Sequence, residues 1–300
     1  MAFSYKSGQK IAKILSKDGD KYIYLTKDST DPIKKLSKKF KMKYSKLSKE
    51  KIKKLHEALR GKATKTLDTE ELKKIYNEAL EDIKDVTFDC LNLENSDEMQ
   101  VLPRKDVVEK LYISGVSGSG KSTYTGKYIK QFKNMFKEDP LYIFSSVAQD
   151  EALDKHDPIR IPLDNELIDD PLQIDDFNNS LTVFDDTDTI RNKPLKKIVN
   201  DIKAEMIEIG RHHNARMIVT SHILSNYKDT RQILNECTSI TFFPRASGPY
   251  HIKRFLKVYA GLSNEKIEKI LELPSRWVTL YKCYPSYLVW EKGICLVSAF

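Results

Sequence analysis

The sequence predicts an α/β fold with a mainly parallel sheet, a small basic α-helical segment before it and a C-terminal β-strand addition. After Pro103, short apolar runs alternate with helical stretches, which is typical of a parallel sheet covered by helices on both faces. Before residue 90, apolar residues recur at three- and four-residue steps among many lysines, as in amphipathic helices. The 300-residue chain is 40% hydrophobic and 31% charged, which is enough apolar content for a packed core.

The positive charge of the chain is concentrated near its N-terminus. The whole sequence has a net charge of +8, but residues 1–85 alone hold 23 Lys and Arg against 13 Asp and Glu. Residues 34–65 hold 14 basic residues and only two acidic ones. This excess suits a polyanionic partner, and it equally suits a solvated, lysine-rich helical face. Charge alone therefore leaves both interpretations open.

Residues 1–90 are predicted to form a basic N-terminal segment that contains a helical hairpin. An alternating stretch at 21–25 indicates a short strand. Apolar residues then follow helical spacing from 33 to 60, and a second apolar stripe starts after Thr69. A hairpin of two helices is therefore expected over residues 31–85.

Residues 100–300 are predicted to form one α/β domain, which a polar connector at 92–100 joins to the basic segment. Five buried strands are expected, at 110–114, 141–145, 181–184, 216–220 and 240–243. The last part of the domain, residues 261–300, is expected to hold a helix at 264–273 and strands at 277–281, 287–290 and 294–297.

Several classes of protein are disfavoured by the sequence. No run of about 18 apolar residues is present, and the first residues lack the apolar region and cleavage site of a secretory signal. The cysteines are scattered without a CxxC pair, and no histidine lies at ligand spacing from them. We therefore expect an intracellular protein without a metal cluster, whose four cysteines are reduced: Cys90, Cys237, Cys283 and Cys295.

The strongest motif is a glycine-rich loop between a predicted strand and a predicted helix. It has the GxxxxGK[ST] spacing of a phosphate-binding loop, and Thr123 follows it. Its residues are Gly115, Val116, Ser117, Gly118, Ser119, Gly120, Lys121 and Ser122. Glycines let successive backbone N–H groups point at phosphate oxygens, and the following helix adds its own N–H groups. We expect Lys121 to contact the β- and γ-phosphates of ATP, Ser122 to bind Mg²⁺ and Thr123 to lie near the α-phosphate.

An acidic pair ends the third predicted strand. After the apolar run at 181–184, Asp185 is expected to hold Mg²⁺, and Asp186 is expected to polarise the attacking water. An apolar run ending in two aspartates is a weak motif alone, because a capped turn has the same sequence. The phosphate-binding loop about 65 residues upstream favours the catalytic interpretation. Asp188 is a nearby carboxylate without an expected role.

A third group of polar residues surrounds the strand at 216–220. Ser221 or His222, at its end, is expected to lie beside the γ-phosphate and to sense hydrolysis. Arg211, before the strand, and Arg245, after the next one, are candidates to reach the nucleotide of a neighbouring subunit. An ordinary surface arginine in a salt bridge is the alternative for each of them.

With these motifs in place, the chain resembles the FtsK–HerA superfamily of P-loop ATPases, and within it the poxvirus-type genome-packaging ATPases of large eukaryotic DNA viruses, virophages and Polinton-like elements. The resemblance covers about residues 100–300 and depends on four segments: GVSGSGKST, VFDD, GRHHNARMIVTSH and ITFFPRAS. Residues 1–90 resemble no known family. The chain departs from the family pattern at His222, where a glutamine is usual, and at Asp186, where many relatives have glutamate.

The resemblance implies a RecA-like core, a homo-oligomeric ring and Mg-ATP hydrolysis between subunits that moves double-stranded DNA through a central pore. Capsid or other packaging proteins are further expected partners. The expected place of action is inside the host cell, in a viral factory, the cytoplasm or the nucleus, with association with the virion also open. The alternatives are an ATP-dependent nucleic-acid-binding switch or scaffold and, with less support, a small-molecule kinase. A kinase needs an arginine-rich lid, but Arg160 is the only arginine between residues 123 and 180.

Overall fold

The protein is described here by a computed structural model, which covers residues 1–17, 19–27, 32–61, 65, 67–84, 87–93, 96–224 and 230–300. Among these residues, every helix is too short or too polar to cross a membrane. The two end points of the predicted hairpin, residues 31 and 85, lie outside them. The chain forms a small N-terminal sheet, a group of helices and a large central sheet.

The N-terminal sheet contains four antiparallel strands, of which the sequence predicted one. Its strands are β1 (Ala2–Ser4), β2 (Gln9–Leu15), β3 (Lys21–Thr26) and β5 (Glu98–Val101), in the spatial order β1-β3-β2-β5. The strand expected at 21–25 is β3. The connector expected at 92–100 instead supplies β5, which pairs with β2. Strands from residues 2–26 and a strand from residues 98–101 thus belong to one sheet.

Three helices, rather than a two-helix hairpin, follow the first three strands. They are α1 (Pro32–Lys43), α2 (Lys49–Leu59) and α3 (Glu70–Lys84). The helix expected from 33 to 60 is interrupted because Ser48 acts as an N-cap, its side chain accepting a hydrogen bond from the N–H of Lys51 at 3.3 Å. Leu36, Phe40 and Leu55 belong to a small core that these helices share.

The central sheet has ten strands, of which six adjacent ones are parallel. In spatial order they are β4 (Cys90–Asn92), β14 (Gly293–Leu296), β13 (Tyr287–Trp290), β12 (Val278–Tyr281), β11 (Ser239–Phe242), β6 (Lys110–Ser114), β10 (Arg216–Ser221), β9 (Leu181–Asp185), β7 (Leu141–Ser145) and β8 (Ile159–Arg160). The strands from β11 to β8 run parallel, and β12 to β4 add antiparallel strands at one side. The predicted α/β class with a mainly parallel sheet and a C-terminal β-strand addition is confirmed.

Helices accompany the central strands along the chain. They are α4 (Lys121–Met135), α5 (Glu151–Asp154), α6 (Asn165–Asp169), α7 (Lys193–Ile209), α8 (Arg231–Glu236), α9 (Pro249–Val258) and α10 (Asn264–Glu272). Both faces of the sheet are buried, because alternate residues of one strand enter different cores: Tyr112 packs in one, Leu111 and Ile113 in the other. This explains why the parallel strands are nearly continuous apolar runs.

The core on one face of the central sheet also contains the N-terminal sheet. Phe3, Ile11 and Met99 belong to the same cluster of buried side chains as Leu111 and Ile113. The N–H of Met99 in β5 also donates a hydrogen bond to the carbonyl of Glu291 at 2.8 Å. The N-terminal sheet therefore packs on the α/β core. The division of the chain into domains at residues 90–100 stays a prediction.

Two of the four cysteines are bonded to each other. Cys90 in β4 and Cys295 in β14 are opposite partners in neighbouring strands and form a disulfide, whereas Cys237 and Cys283 are free. The expectation that all four cysteines are reduced is wrong for this pair. No sequence pattern indicates this bond, since 205 residues separate the two cysteines and β4 lies outside the predicted strands.

Candidate nucleotide-binding site

The glycine-rich loop joins β6 to α4 and turns sharply at two glycines. Gly118 has a φ of 76° and Gly120 a φ of 103°, which are left-handed conformations that favour glycine. Gly120 is the N-cap residue of α4. At the other end of the loop, a Cβ on Gly115 would lie 2.7 Å from Cδ2 of the buried Phe243 and would also collide with Ser119 Oγ. The loop is thus shaped by its glycines and supported from below by an aromatic ring.

Lys121, the first residue of α4, lies at the centre of a compact group of charged side chains. Its Nζ donates a hydrogen bond to the carbonyl of Gly115 at 2.9 Å. The same Nζ is 3.6 Å from Asp186 Oδ2 and 3.3 Å from His222 Nδ1. Lys121 is only 7% exposed, so its ammonium is held at the loop by these contacts rather than extended into water.

Asp185 is a buried carboxylate at the end of β9. It is 6% exposed, and its two oxygens accept hydrogen bonds from Thr220 Oγ1 at 2.9 Å and Ser145 Oγ at 3.0 Å. Burial raises the pKa of Asp185, because a desolvated carboxylate holds its proton more tightly, although the Thr220 hydroxyl opposes this. A nearby cation would therefore be strongly favoured at this position.

Asp186 leaves the strand in a left-handed conformation. Its φ is 45° and its ψ is 36°, a state that aspartate tolerates better than most residues. Its N–H donates to Thr220 Oγ1 at 2.9 Å, which fixes the turn. The turn leaves the Asp186 carboxylate close to Lys121 and 3.0 Å from His222 Nε2.

His222 bridges the lysine and the second aspartate. A neutral imidazole that carries its proton on Nε2 can donate to Asp186 and accept from Lys121 through Nδ1, so one tautomer satisfies both contacts. Ser221, the other predicted sensor, instead donates its hydroxyl hydrogen bond to Asp188 Oδ2 at 2.9 Å. Of the two candidates, only His222 contacts the phosphate-loop lysine.

The order of strands in the sheet explains why these distant residues meet. Strand β10 lies between β6 and β9, and all three are parallel. Their carboxyl ends therefore lie at one edge, where the residues that follow them converge. Thr220 and Ser145 join the site for the same reason, although the sequence analysis missed them. The register pairs Ser145 directly with Asp185.

The two predicted arginines lie at opposite edges of the sheet. Arg211 is in the 3-10 turn Gly210–His213 before β10, and the carbonyl of His213 accepts a hydrogen bond from the N–H of Asn179, close to the start of β9. Arg245 follows β11, whose last residue pairs with Ser114 beside the phosphate loop. Both side chains are exposed. No hydrogen bond or ion pair among the described residues joins either of them to Lys121, so their roles stay predictions.

The residues of the site fit a magnesium ion that is shared with phosphate oxygens. Within the described ranges, no group of three or more His, Cys, Asp or Glu residues could hold a metal by itself. Mg²⁺ in nucleotide sites needs only one or two protein oxygens, since the phosphates and water supply the others. The buried, desolvated Asp185 carboxylate and the hydroxyl of Ser122 are the oxygen donors expected of such a site.

The chain was compared with families, with known proteins and with solved structures. No family model matches it. A protein of the Sputnik virophage, described as "Uncharacterized protein V3", is 45% identical over 187 residues, which cover 62% of this chain and 76% of that protein. Among solved structures, the chain is similar to the genome packaging NTPase B204 from Sulfolobus turreted icosahedral virus 2 in complex with sulfate. That match has a TM-score of 0.42 and 14% identity, and it covers 62% of this chain and 94% of B204. The KaiC-like protein PH0186 from Pyrococcus horikoshii OT3 matches with a TM-score of 0.34 and 14% identity, covering 45% of this chain and 71% of that one.

Proposed function

We propose that this chain, which belongs to the family of the Sputnik virophage protein V3, is an ATP-driven motor that moves double-stranded DNA into a viral capsid. The 45% identity to the Sputnik virophage protein confirms the resemblance to virophage proteins. The observation that carries the enzymatic part of the proposal is the contact of Lys121, Asp186 and His222 beside a glycine-rich phosphate loop. A cation, a carboxylate and an imidazole held together at that loop can bind a triphosphate and act on its terminal phosphate.

ATP binding would use the backbone of the loop and the start of α4. Val116, Ser117 and Gly118 are exposed, so their N–H groups are open to phosphate oxygens. The ammonium of Lys121 would exchange its contacts with Gly115 and Asp186 for the β- and γ-phosphates. Thr123 in the first turn of α4 would lie near the α-phosphate.

A bound Mg²⁺ would neutralise negative charge on the β- and γ-phosphates. Ser122 and Asp185 are the residues that would hold it. Thr220 and Ser145 orient the Asp185 carboxylate from two sides by donating hydrogen bonds to it. The two hydroxyl groups therefore act through Asp185 as positioning residues.

Hydrolysis needs a group that accepts a proton from the attacking water. Asp186 is the residue proposed for this, since its carboxylate is partly accessible and lies beside Lys121. His222 holds the carboxylate from the other side and would register whether a γ-phosphate is present, because its contacts with Lys121 and Asp186 must both change when phosphate binds.

The motor part of the proposal depends on the sequence resemblance, on the position of one arginine and on the charge of one sequence segment. Arg211 projects from the edge of the sheet opposite to the phosphate loop, where it could serve the site of the next subunit in a ring. The lysine-rich stretch at 34–65 supplies sequence-independent phosphate contacts of the kind that a sliding protein requires. Capsid proteins would be further partners, and assembly of particles inside the host cell would be the setting.

The test is the effect of DNA on ATP hydrolysis. Double-stranded DNA should raise the rate of phosphate release by the assembled wild-type protein, and Lys121→Ala should abolish hydrolysis with and without DNA. Lys130→Ala, which removes an exposed lysine from the same helix, is the matched control and should keep the DNA stimulation. An assembled ring whose hydrolysis is indifferent to DNA would contradict the motor and favour the ATP-dependent switch.

The kinase alternative has a separate readout. Arg160 is engaged by Asp154, with a 2.8 Å hydrogen bond from Nε, and by the carbonyl of Val147 at 3.0 Å. Its guanidinium therefore binds neighbouring groups of the same chain and is not free to bind an acceptor phosphate. Phosphoryl transfer from ATP to nucleosides or nucleotides, detected by chromatography, would nevertheless revive this alternative.

A further inference from the structure

A cavity on the outer side of α4 joins the phosphate loop to the N-terminal sheet. Ser119 and Gly120 of the loop form one end of it. Its walls come from the first turns of α4, from the residues just before β12, and from all four residues of β5. Leu15 at the end of β2 completes the wall. The N-terminal sheet thus borders the phosphate loop.

The position of the cavity follows the expected course of a nucleotide. Thr123 and Lys127 are one helical turn apart on the same face of α4, and both line the cavity. Lys121, at the start of the same helix, lies outside this lining and contacts Asp186 and His222. A nucleotide with its terminal phosphates at Lys121 and its α-phosphate at Thr123 would therefore extend its ribose and base into this space.

The lining has the chemistry of a site for a flat heterocycle. Trp277 is 9% exposed, and its ring lies 5.1 Å from that of Tyr124 in an edge-on arrangement. Phe243, the ring beneath the phosphate loop, also lines the cavity. Aromatic side chains provide stacking surfaces for a nucleobase, and a few fixed polar groups then give specificity.

Gln100 in β5 is the polar group best placed to provide that specificity. It is 8% exposed, and its amide Nε2 donates to the backbone carbonyl of Lys127 at 3.4 Å. That contact orients the amide and leaves its carbonyl oxygen available as an acceptor. An acceptor matches the exocyclic amine of adenine and is mismatched with the carbonyl oxygen that guanine has at the same place.

We infer that this cavity is the base-binding site of the nucleotide, and that Gln100 of the N-terminal sheet selects adenine over guanine. The inference rests on the proposed ATPase function and deepens it, because it assigns a role in nucleotide binding to β5, a strand of the N-terminal sheet. Residues 98–101 become part of the nucleotide site instead of a connector. Adenine bound in the cavity would then contact the N-terminal sheet directly.

Tryptophan fluorescence tests the base site with a matched pair of variants. The chain has two tryptophans, so Trp290→Phe leaves only Trp277, and Trp277→Phe leaves only Trp290, which packs against Phe300 away from the cavity. ADP should change the emission of Trp277, whereas pyrophosphate, which carries the phosphates without the base, should not. The variant that retains Trp290 should respond to neither ligand. Equal responses of Trp277 to ADP and pyrophosphate would overturn the inference.

A second measurement tests the selectivity. In calorimetric titrations, the wild-type protein should bind ADP at least about tenfold more tightly than GDP. Gln100→Met, which keeps the length of the side chain, should bring that ratio close to one and leave the affinity for pyrophosphate unchanged. An unchanged ratio would refute the role of Gln100.

The two proposals fail in different ways. If calorimetry shows saturation with ADP while Trp277 stays silent, the base site is elsewhere and the ATPase proposal stands. If neither ADP nor ATP binds to the folded chain, the ATPase proposal itself is wrong, and the assignment of the base site is wrong as well.

Discussion

Replacing Asp186 by asparagine separates catalysis from binding at this site. Asparagine tolerates the left-handed conformation that Asp186 adopts at φ 45°, so the turn after β9 should be retained. It also keeps the backbone N–H that donates to Thr220 Oγ1 at 2.9 Å. What the variant loses is the negative charge that contacts Lys121 and the ability to accept a proton from water.

The expected effect on turnover is large. Loss of a general base typically lowers kcat by about 10²–10⁴, which corresponds to about 2.7–5.4 kcal/mol of transition-state stabilisation. The affinity for ATP should stay the same or rise, because Asp186 competes with phosphate oxygens for Lys121 at a distance of 3.6 Å. The structure therefore predicts a lower kcat without any rise in the Kd for ATP.

The assay combines phosphate release under saturating ATP and DNA with a direct titration of ATP. Asp188→Asn is the matched control, because it removes one negative charge two residues away from Asp186, from a carboxylate that accepts a hydrogen bond from Ser221. It should keep kcat within about threefold of the wild type. An Asp188→Asn variant that loses more activity than Asp186→Asn would refute the assignment. So would an Asp186→Asn variant whose loss appears only in Kd.

Three further predictions concern the loop, the buried carboxylate and a buried ion pair in the connection between β5 and β6. Gly115→Ala should weaken ATP binding at least about tenfold in a titration, because the new Cβ would collide with Phe243 and displace the loop. Asp185→Asn should abolish hydrolysis but stabilise the free protein by about 0.5–2 kcal/mol in thermal unfolding near pH 7. Burial raises the pKa of Asp185, so the folded chain binds this proton more tightly than the unfolded chain does. The free energy of unfolding of the wild type therefore falls as the pH rises through the raised pKa. Asparagine does not titrate, so the variant does not lose this stability. Glu109→Gln should cost about 3–5 kcal/mol in denaturant unfolding, because it leaves the 2%-exposed Arg104 buried without its ion-pair partner, which lies 2.7 Å away. A neutral result in any one of these three measurements contradicts the corresponding contact.

The α/β core could be predicted because its signals are local. Each parallel strand is buried on both faces and is therefore an apolar run that can be recognised without its partners. The phosphate loop is a continuous motif, and two of its glycines, Gly118 and Gly120, adopt left-handed conformations. The five strands expected for the core correspond to β6, β7, β9, β10 and β11.

The contacts inside the site could not be predicted, because they depend on the spatial order of strands. Thr220 reaches Asp185 only because β10 is inserted between β6 and β9. Ser145 reaches the same carboxylate because β7 lies on the other side of β9. Neither neighbour relation follows from the order of strands along the chain.

The N-terminal sheet was missed for a different reason. Its fourth strand, β5, comes from a polar segment that is about 80 residues away from its partner β2 along the chain. Only one of its strands alternates clearly enough to be recognised alone. The two bonded cysteines show the same limit, since Cys90 lies in a three-residue strand whose partner is near the C-terminus.

Displacement of a third strand from double-stranded DNA tests the central claim most directly. A motor that advances along the duplex strips off a bound triplex-forming oligonucleotide, and the released oligonucleotide can be followed by fluorescence. The account predicts release that requires ATP and is lost in both Lys121→Ala and Asp186→Asn, while Asp188→Asn retains it. Rapid, DNA-stimulated ATP hydrolysis without any release, or release that persists in Asp186→Asn, would contradict it.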